Sequence, residues 1–277
     1  MNAINKKIKR PLLRYHGGKW MMAPWIIEHF PPHRIYVEPF GGGASVLLRK
    51  ERSFSEVYND LDNEIVNLFK IARDHGPELK RLLELTPFSR SEFELSYHMT
   101  DDLIEQARRT VVRSFMGFGS NAVLKKITGF RMDVVRRGSI PPHDWMNYPQ
   151  ALLAIIDRLR GVSIENRNAI KVMKDYDRPD TLHYCDPPYT AGSRGKGVDY
   201  RFEMSDKDHR ELADAIHKLQ GNVIISGYRS DLYDELYRCW KRVERQSYTN
   251  AAGYGAKRRI ECIWIKNLHD LQTHFDY

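Results

Sequence analysis

The stretch Arg34–Lys50, RIYVEPFGGGASVLLRK, decides how this chain is built. A β-rich run, Ile35–Glu38, leads through Gly41, Gly42 and Gly43 into an apolar pattern of helical spacing that starts at Ala44. Immediately beyond it, EVYNDLDNEIVNLFKIARDH repeats the plan, with a strand at Val57–Asn59 and a helix from Asn63. Strand, loop, helix, strand, helix is the opening of a doubly wound parallel sheet with right-handed crossovers.

The same plan returns near the middle of the chain. GVSIENRNA predicts a strand at 162–165 and TLHYCDPPY another at 181–185. A helix over 206–219 with Ser205 as its N-cap follows, then a strand at 222–226 and a helix over 230–240. The β-rich runs VERQSYTN and RRIECIWIKNL, joined by a loop holding Gly253 and Gly255, signal a hairpin. They put antiparallel strands at one edge of an otherwise parallel sheet. Residues 71–160 read differently, as helices at 77–85, 91–97, 101–116 and 149–160 around the loop-rich GFGSNAVLKKITGFRMDVVRRGSIPPHDW, where FRMDVV has the alternation of a short hairpin. The expectation is an α/β, Rossmann-like, mostly parallel sheet formed by 1–70 and 161–277, carrying a smaller, mainly helical domain inserted at 71–160.

Composition narrows the class. A chain of 277 residues that is 42% hydrophobic and 11% aromatic can bury a sizeable core, and its formal net charge of +8 points to a polyanionic partner. The charge is clustered. Residues 1–20 hold Lys6, Lys7, Lys9, Arg10, Arg14 and Lys19 without an acid; eight basic residues against Asp133 lie between Arg108 and Gly138, and seven against Glu244 between Arg238 and Arg259. Three such runs suggest a shared phosphate-binding surface. Cys185, Cys239 and Cys262 form no metal-ligand spacing, and no stretch is long and apolar enough to span a bilayer or serve as a secretion signal. These features predict a cytoplasmic protein with neither a metal nor a membrane partner, and a monomer is expected in solution.

Chemistry concentrates at two loops. In VEPFGGG the glycines allow close backbone approach, and Asp60, 22 residues past Glu38, ends the next strand, where a carboxylate can accept both hydroxyls of an adenosyl ribose. There is no G-x-G-x-x-G and no Walker lysine, which disfavours a dinucleotide or a triphosphate. In LHYCDPPY (182–189) the prolines cannot join a sheet ladder, so Asp186 sits where pairing stops. Its carboxylate and the Pro187 carbonyl could accept the two N–H groups of an exocyclic amine on a planar base, with Tyr189 stacked on the ring.

RYHGGK, VEPFGGGA, YNDLDNEIVNL and YCDPPY, in that order, resemble the D12 class of adenine-specific DNA methyltransferases, a family with the class I methyltransferase fold. The resemblance covers most of the chain. It implies S-adenosyl-L-methionine as methyl donor, S-adenosyl-L-homocysteine as product, double-stranded DNA as partner, and N6 of adenine as acceptor. By the same resemblance Tyr15, Lys19, Glu38, Phe40, Gly41, Gly43 and Asp60 contact the cofactor, Arg167 and Asn168 flank its adenine, and Asp186, Pro187, Pro188 and Tyr189 form the catalytic loop, with Asp186 close to cofactor and target alike.

The target adenine must leave the base stack to be reached, at a cost of roughly a few kcal/mol, and in-line transfer then depends mainly on positioning. Arg14, Asn121, Lys125, Lys126, Arg131, Arg136 and Arg137 are candidates for DNA contact, with base-reading and phosphate-holding roles open. The family's target-reading pattern is absent from GSNAVLKKITGFRMDVV, so its GATC specificity does not carry over. Transfer to cytosine N4 or a glutamine amide, and an idle DNA-binding module, are the rival readings. Ser or Asn in place of Asp186 would favour the former, and loss of the acid the latter.

Overall fold

The computed structural model describes residues 8–119, 127–133, 139–190, 201–249 and 257–266. Strands Ile35–Glu38 (β1), Ser55–Asn59 (β2), Val162–Glu165 (β3), Thr181–Cys185 (β4), Asn222–Tyr228 (β5), Lys241–Thr249 (β6) and Lys257–Lys266 (β7) form a seven-stranded sheet of order β3-β2-β1-β4-β5-β7-β6. β1 pairs in parallel with β2 and β4, and β4 with β5, whereas β7 runs antiparallel to both β5 and β6. This is the mostly parallel sheet with an antiparallel edge that the sequence predicts. The chain winds outward from β1 and returns to β1's other side as β4, so the topological switch lies between these two strands, where open α/β sheets bind ligands.

By compactness the chain divides into two units. The first comprises Met1–Ile27, Gly41–Glu51 and Asp60–Asn166. It contains helices Ala23–Ile27 (α1), Asn63–Asp74 (α2), Gly76–Leu85 (α3), Arg90–Leu95 (α4), Leu103–Met116 (α5), Pro141–Met146 (α6) and Tyr148–Leu159 (α7). Apolar faces of α2, α3, α5 and α7 bury Ile65, Leu68, Phe69, Leu79, Val111, Val112, Leu152 and Ile155. Asp102 caps α5 by accepting the N–H groups of Ile104 and Glu105.

The middle of that helical packing is polar. Glu64 on α2 accepts from Thr110 Oγ1 at 2.9 Å and Gln106 Nε2 at 3.3 Å, and it pairs with the Arg113 guanidinium on α5. Arg113 also donates to the Ser96 carbonyl at 2.9 Å. Arg108 reaches Glu105 and Glu92, each at 2.6 Å, and Arg109 reaches Glu105 at 2.7 Å. The basic run from Arg108 is therefore not a free phosphate-binding surface over its first part, because helical spacing turns these arginines onto Glu105 of their own helix and onto Glu92 and Glu64 of neighbouring ones.

The second unit comprises Glu28–Phe40, Arg52–Asn59 and Arg167–Tyr277, with helices Ala169–Asp175 (α8), Asp206–His217 (α9) and Asp231–Leu236 (α10). Ser205 caps α9 in a reciprocal capping box with Asp208, as its position predicts. Met173, Leu212, Ile216, Val223, Ile225, Tyr233, Tyr237 and Trp264 form the core here, and the Cys185 thiol faces into it. Burial holds that thiol well above its usual range, so it is a packed group rather than a nucleophile.

One local expectation fails. No helix starts at Ala44. The residue adopts φ +49°, a left-handed conformation in which a right-handed helix cannot begin, and 45–50 form irregular turns. At FRMDVV the described residues make one antiparallel bridge, Gly117 with Phe130, while Val134 and Val135 lie outside them. The segment 191–200 and the loop with Gly253 and Gly255 are also outside.

Because Glu64 and Arg113 are both buried, removing one partner strands the other's charge. Glu64→Ala is expected to destabilise the fold by about 3–5 kcal/mol. The measurement is urea unfolding, with a lowered midpoint at unchanged slope.

Candidate active site

In the first unit the glycine loop is organised around Tyr15. Gly42 has φ +45°, and a Cβ there would lie 2.8 Å from Tyr15 Cε1; at Gly43 it would lie 3.1 Å from Tyr15 Cβ. The glycines are thus required by a protein ring packed on the loop, which the sequence pattern alone does not reveal. Lys19 is buried and folds back to donate to the Gly17 carbonyl at 2.8 Å. Beside Tyr15 a hollow of about 210 Å³ is lined by Pro11, Leu13, Arg14, Gly18, Trp20 and Ser45.

Asp60 follows the last residue of β2, and the backbone holds its carboxylate in place. Oδ2 accepts from Gly42 N and Oδ1 from Asp62 N, both at 2.8 Å. Burial outweighs these donors and raises its pKa to about 6. The result is an acid at the end of a strand that gains from any further hydrogen-bond donor.

In the second unit the ends of β1, β4 and β5 lie side by side, Val37 opposite His183 and Cys185 opposite Ile225. Glu38 is buried and accepts the Tyr36 hydroxyl at 2.7 Å. Phe40 packs against the core of this unit. Asp186 leaves β4 where Pro187 and Pro188 end the ladder, and its Oδ1 accepts from Ser226 Oγ on β5 at 2.7 Å. The Tyr184 hydroxyl lies 3.1 Å from the same Ser226 oxygen. Tyr189 is buried, donates to Glu261 Oε2 at 2.9 Å, and stands edge-on to Tyr228 with centroids 4.6 Å apart. Arg259 in turn lies over the Tyr228 ring and donates to its hydroxyl at 3.1 Å.

Ser226, Tyr228 and Glu261 are the neighbours of the DPPY loop that sequence reading did not name. The signal available was SGY closing the β-rich run GNVIISGY, which puts a hydroxyl and a ring at the end of the strand beside β4.

The remaining candidates fall apart by duty. Asn168 caps α8 by accepting from Lys171 N, and Arg167 pairs with Asp175 at 2.6 Å. Arg14 engages Ser114 through its backbone. Arg131 donates to the Phe115 carbonyl at 3.0 Å and lies 4.0 Å from Asp144. Asn121, Lys125, Lys126, Arg136 and Arg137 lie outside the described residues. No helix among the described residues is long and apolar enough to cross a membrane.

A mostly parallel, seven-stranded sheet with an antiparallel edge and helices on it is the α/β architecture of the class I methyltransferases. The chain matches the family model of the D12 class N6 adenine-specific DNA methyltransferases over residues 15–116 and 143–250, and it belongs to that family. The Type II methyltransferase M1.LlaDCHI of Lactococcus lactis subsp. cremoris is 26% identical over 298 aligned residues, covering 96% of this chain and 99% of that protein. The DNA adenine methylases of Serratia marcescens (25% identical, 91% of this chain and 92% of that protein) and Escherichia coli strain K12 (22%, 92% and 94%) are similar along nearly their whole lengths. The protein is a DNA adenine-N6 methyltransferase.

The packing of Tyr15 on the glycine loop has a measurable consequence. Gly42→Ala combines a left-handed backbone with a ring clash and is expected to lose about 1–3 kcal/mol. Gly119→Ala, at φ +73° with nothing within 4 Å of the added Cβ, carries the backbone cost alone. Urea midpoints of the two variants separate the ring contact from the strain.

Proposed function

We propose that the methyl donor is S-adenosyl-L-methionine, that the acceptor is an adenine swung out of double-stranded DNA, and that Asp186 and the Pro187 carbonyl hold its N6 amine. The observation that carries this reading is the Asp186 carboxylate, anchored at the end of β4 beside the β1/β4 switch point. Bound S-adenosylmethionine supplies an electrophilic methyl group on a sulfonium.

The chain's own residues fit such a donor. Asp60, with its oxygens already oriented by backbone N–H groups and its pKa raised to about 6, is an acceptor suited to two ribose hydroxyls. Tyr15 and Lys19 come before β1, Glu38 ends it, and Phe40, Gly41 and Gly43 follow it, and these are the residues we assign to holding the cofactor. Asn168 and Arg167 are kept as the flank of the adenine ring, supported by Asn59, which accepts the Arg167 N–H and donates to its carbonyl.

At the acceptor end, Asp186 and the Pro187 oxygen take the two amine hydrogens, which turns the nitrogen lone pair out of the hydrogen bonds. Tyr189 offers its ring to the base, with its orientation supported by the bond to Glu261. After transfer the substituted nitrogen is acidic and gives up its proton readily, so a strong base is not needed beforehand. Segment 71–160 is assigned to meeting the DNA. The family match leaves out 117–142, the span that holds Lys125, Lys126, Arg131, Arg136 and Arg137, and we assign the choice of target sequence to it.

Incubation with labelled S-adenosylmethionine and DNA, followed by digestion, is expected to yield N6-methyladenine, and Asp186→Ala to abolish it without altering thermal unfolding. Full activity in that variant, or label in N4-methylcytosine, contradicts the reading. A second outcome follows from Asp60. Ribose hydroxyls favour the ionised carboxylate, so cofactor affinity should be constant above pH 6 and weaken by up to about tenfold per pH unit below it. Calorimetric titration between pH 5 and 8 measures this, and Asp60→Asn should bind weakly with no such slope.

A further inference from the structure

We infer that Ser226 is a positioning residue for methyl transfer, acting by fixing the orientation of the Asp186 carboxylate. This rests on the reading of Asp186 as the group that receives the target amine. Ser226 is buried on β5, next to β4, the strand that Asp186 directly follows. Its hydroxyl has one proton and two acceptor positions. At 2.7 Å from Asp186 Oδ1 and 3.4 Å from the Cys185 carbonyl, that proton goes to the carboxylate.

The partner on the other side then has only one role left. Tyr184, 3.1 Å away, must donate its own proton to Ser226 Oγ, giving a chain of donors running Tyr184, Ser226, Asp186. Burial holds the Tyr184 phenol far above its usual range, so this donor stays neutral wherever the enzyme works. Every hydroxyl in the chain therefore points toward the acid. β4 and β5 are adjacent central strands, so the anchor is attached to the rigid part of the sheet rather than to the loop that follows.

Asp186 stands at the start of a loop, where its carboxylate orientation is set by what holds each oxygen. With Oδ1 tied to β5 the plane of the carboxylate is set before a base arrives, and the amine meets its acceptor in one orientation. Loss of that tie leaves the acid in place but misaligned, which lowers turnover rather than binding. Misplacement of a reacting group by about 1 Å is enough for a loss near 100-fold.

The test compares Ser226→Ala, Tyr184→Phe and Asp186→Asn in the full-length enzyme, at a temperature where thermal unfolding shows all three to be folded. Ser226→Ala is expected to lower kcat by about 10- to 100-fold while KM for DNA and Kd for S-adenosylmethionine stay within about twofold. Tyr184→Phe removes the same Tyr184–Ser226 bond but keeps the anchor on Asp186, so its kcat should fall by no more than about threefold. Equal losses in the two variants, or a loss in Ser226→Ala expressed in KM alone, would mean a merely structural hydroxyl and overturn the inference. Wild-type kcat in Ser226→Ala beside an impaired Asp186→Asn also overturns it, leaving the role of Asp186 standing. Wild-type kcat in Asp186→Asn removes the reading of the loop itself, and the inference with it.

Discussion

The parallel pairing of β1 with β4 is the constraint on which the rest depends. These strands are separated in sequence by β2, β3 and the whole helical region, yet the register sets Val37 against His183. Once that pairing is made, Glu38 and Asp186 emerge at the same edge without further adjustment. The loops after them inherit their positions from the ladder. A slip of β4 by one residue against β1 would turn Asp186 to the opposite face of the sheet while Glu38 stayed where it is.

What the ladder delivers, local chemistry then holds. Pro187 and Pro188 stop the pairing directly after Asp186, and the neighbouring strand supplies the Ser226 hydroxyl at the level where β4 ends. On the other side of the loop, Glu261 of the antiparallel β7 reaches Tyr189, and the register places Glu261 opposite Tyr228, whose ring packs on that same tyrosine. The antiparallel edge thus has a task beyond closing the sheet. It furnishes the wall against which the aromatic residue of DPPY is fixed.

Much of this was readable from the chain because the decisive signals are local. A β-rich run followed by glycines, an acid closing the next run, and prolines that forbid further pairing each act within a few residues, and together with the RYHGGK stretch before them, in fixed order, they single out one family. The misreadings have two causes, backbone handedness and distance along the chain. Ala44 continues an apolar helical pattern, but the tight turn at Gly42 forces it to φ +49°, and a periodicity count does not register backbone handedness. The arginines of α5 look like a basic surface because the acid that neutralises Arg113, Glu64, lies 49 residues away. Ser226 and Glu261 escaped notice for the same reason, at separations of 40 and 72 residues from their partners.

The glycine loop shows how a correct motif can be read for an incomplete reason. Glycines after a strand suggest a backbone cleared for a ligand, yet at Gly42 and Gly43 the space that a Cβ would take is already filled by Tyr15, a residue of the N-terminal YHGGK stretch. Two segments that read as separate cofactor motifs are therefore one packed element. The backbone N–H of Gly42, freed from any helix by the left-handed turn, is directed to Asp60. Tyr15 thereby acts on Asp60 through the loop: it requires glycine at 42, glycine permits the turn, and the turn supplies the donor that orients the acid. The acid and the aromatic residue are accordingly held by one arrangement.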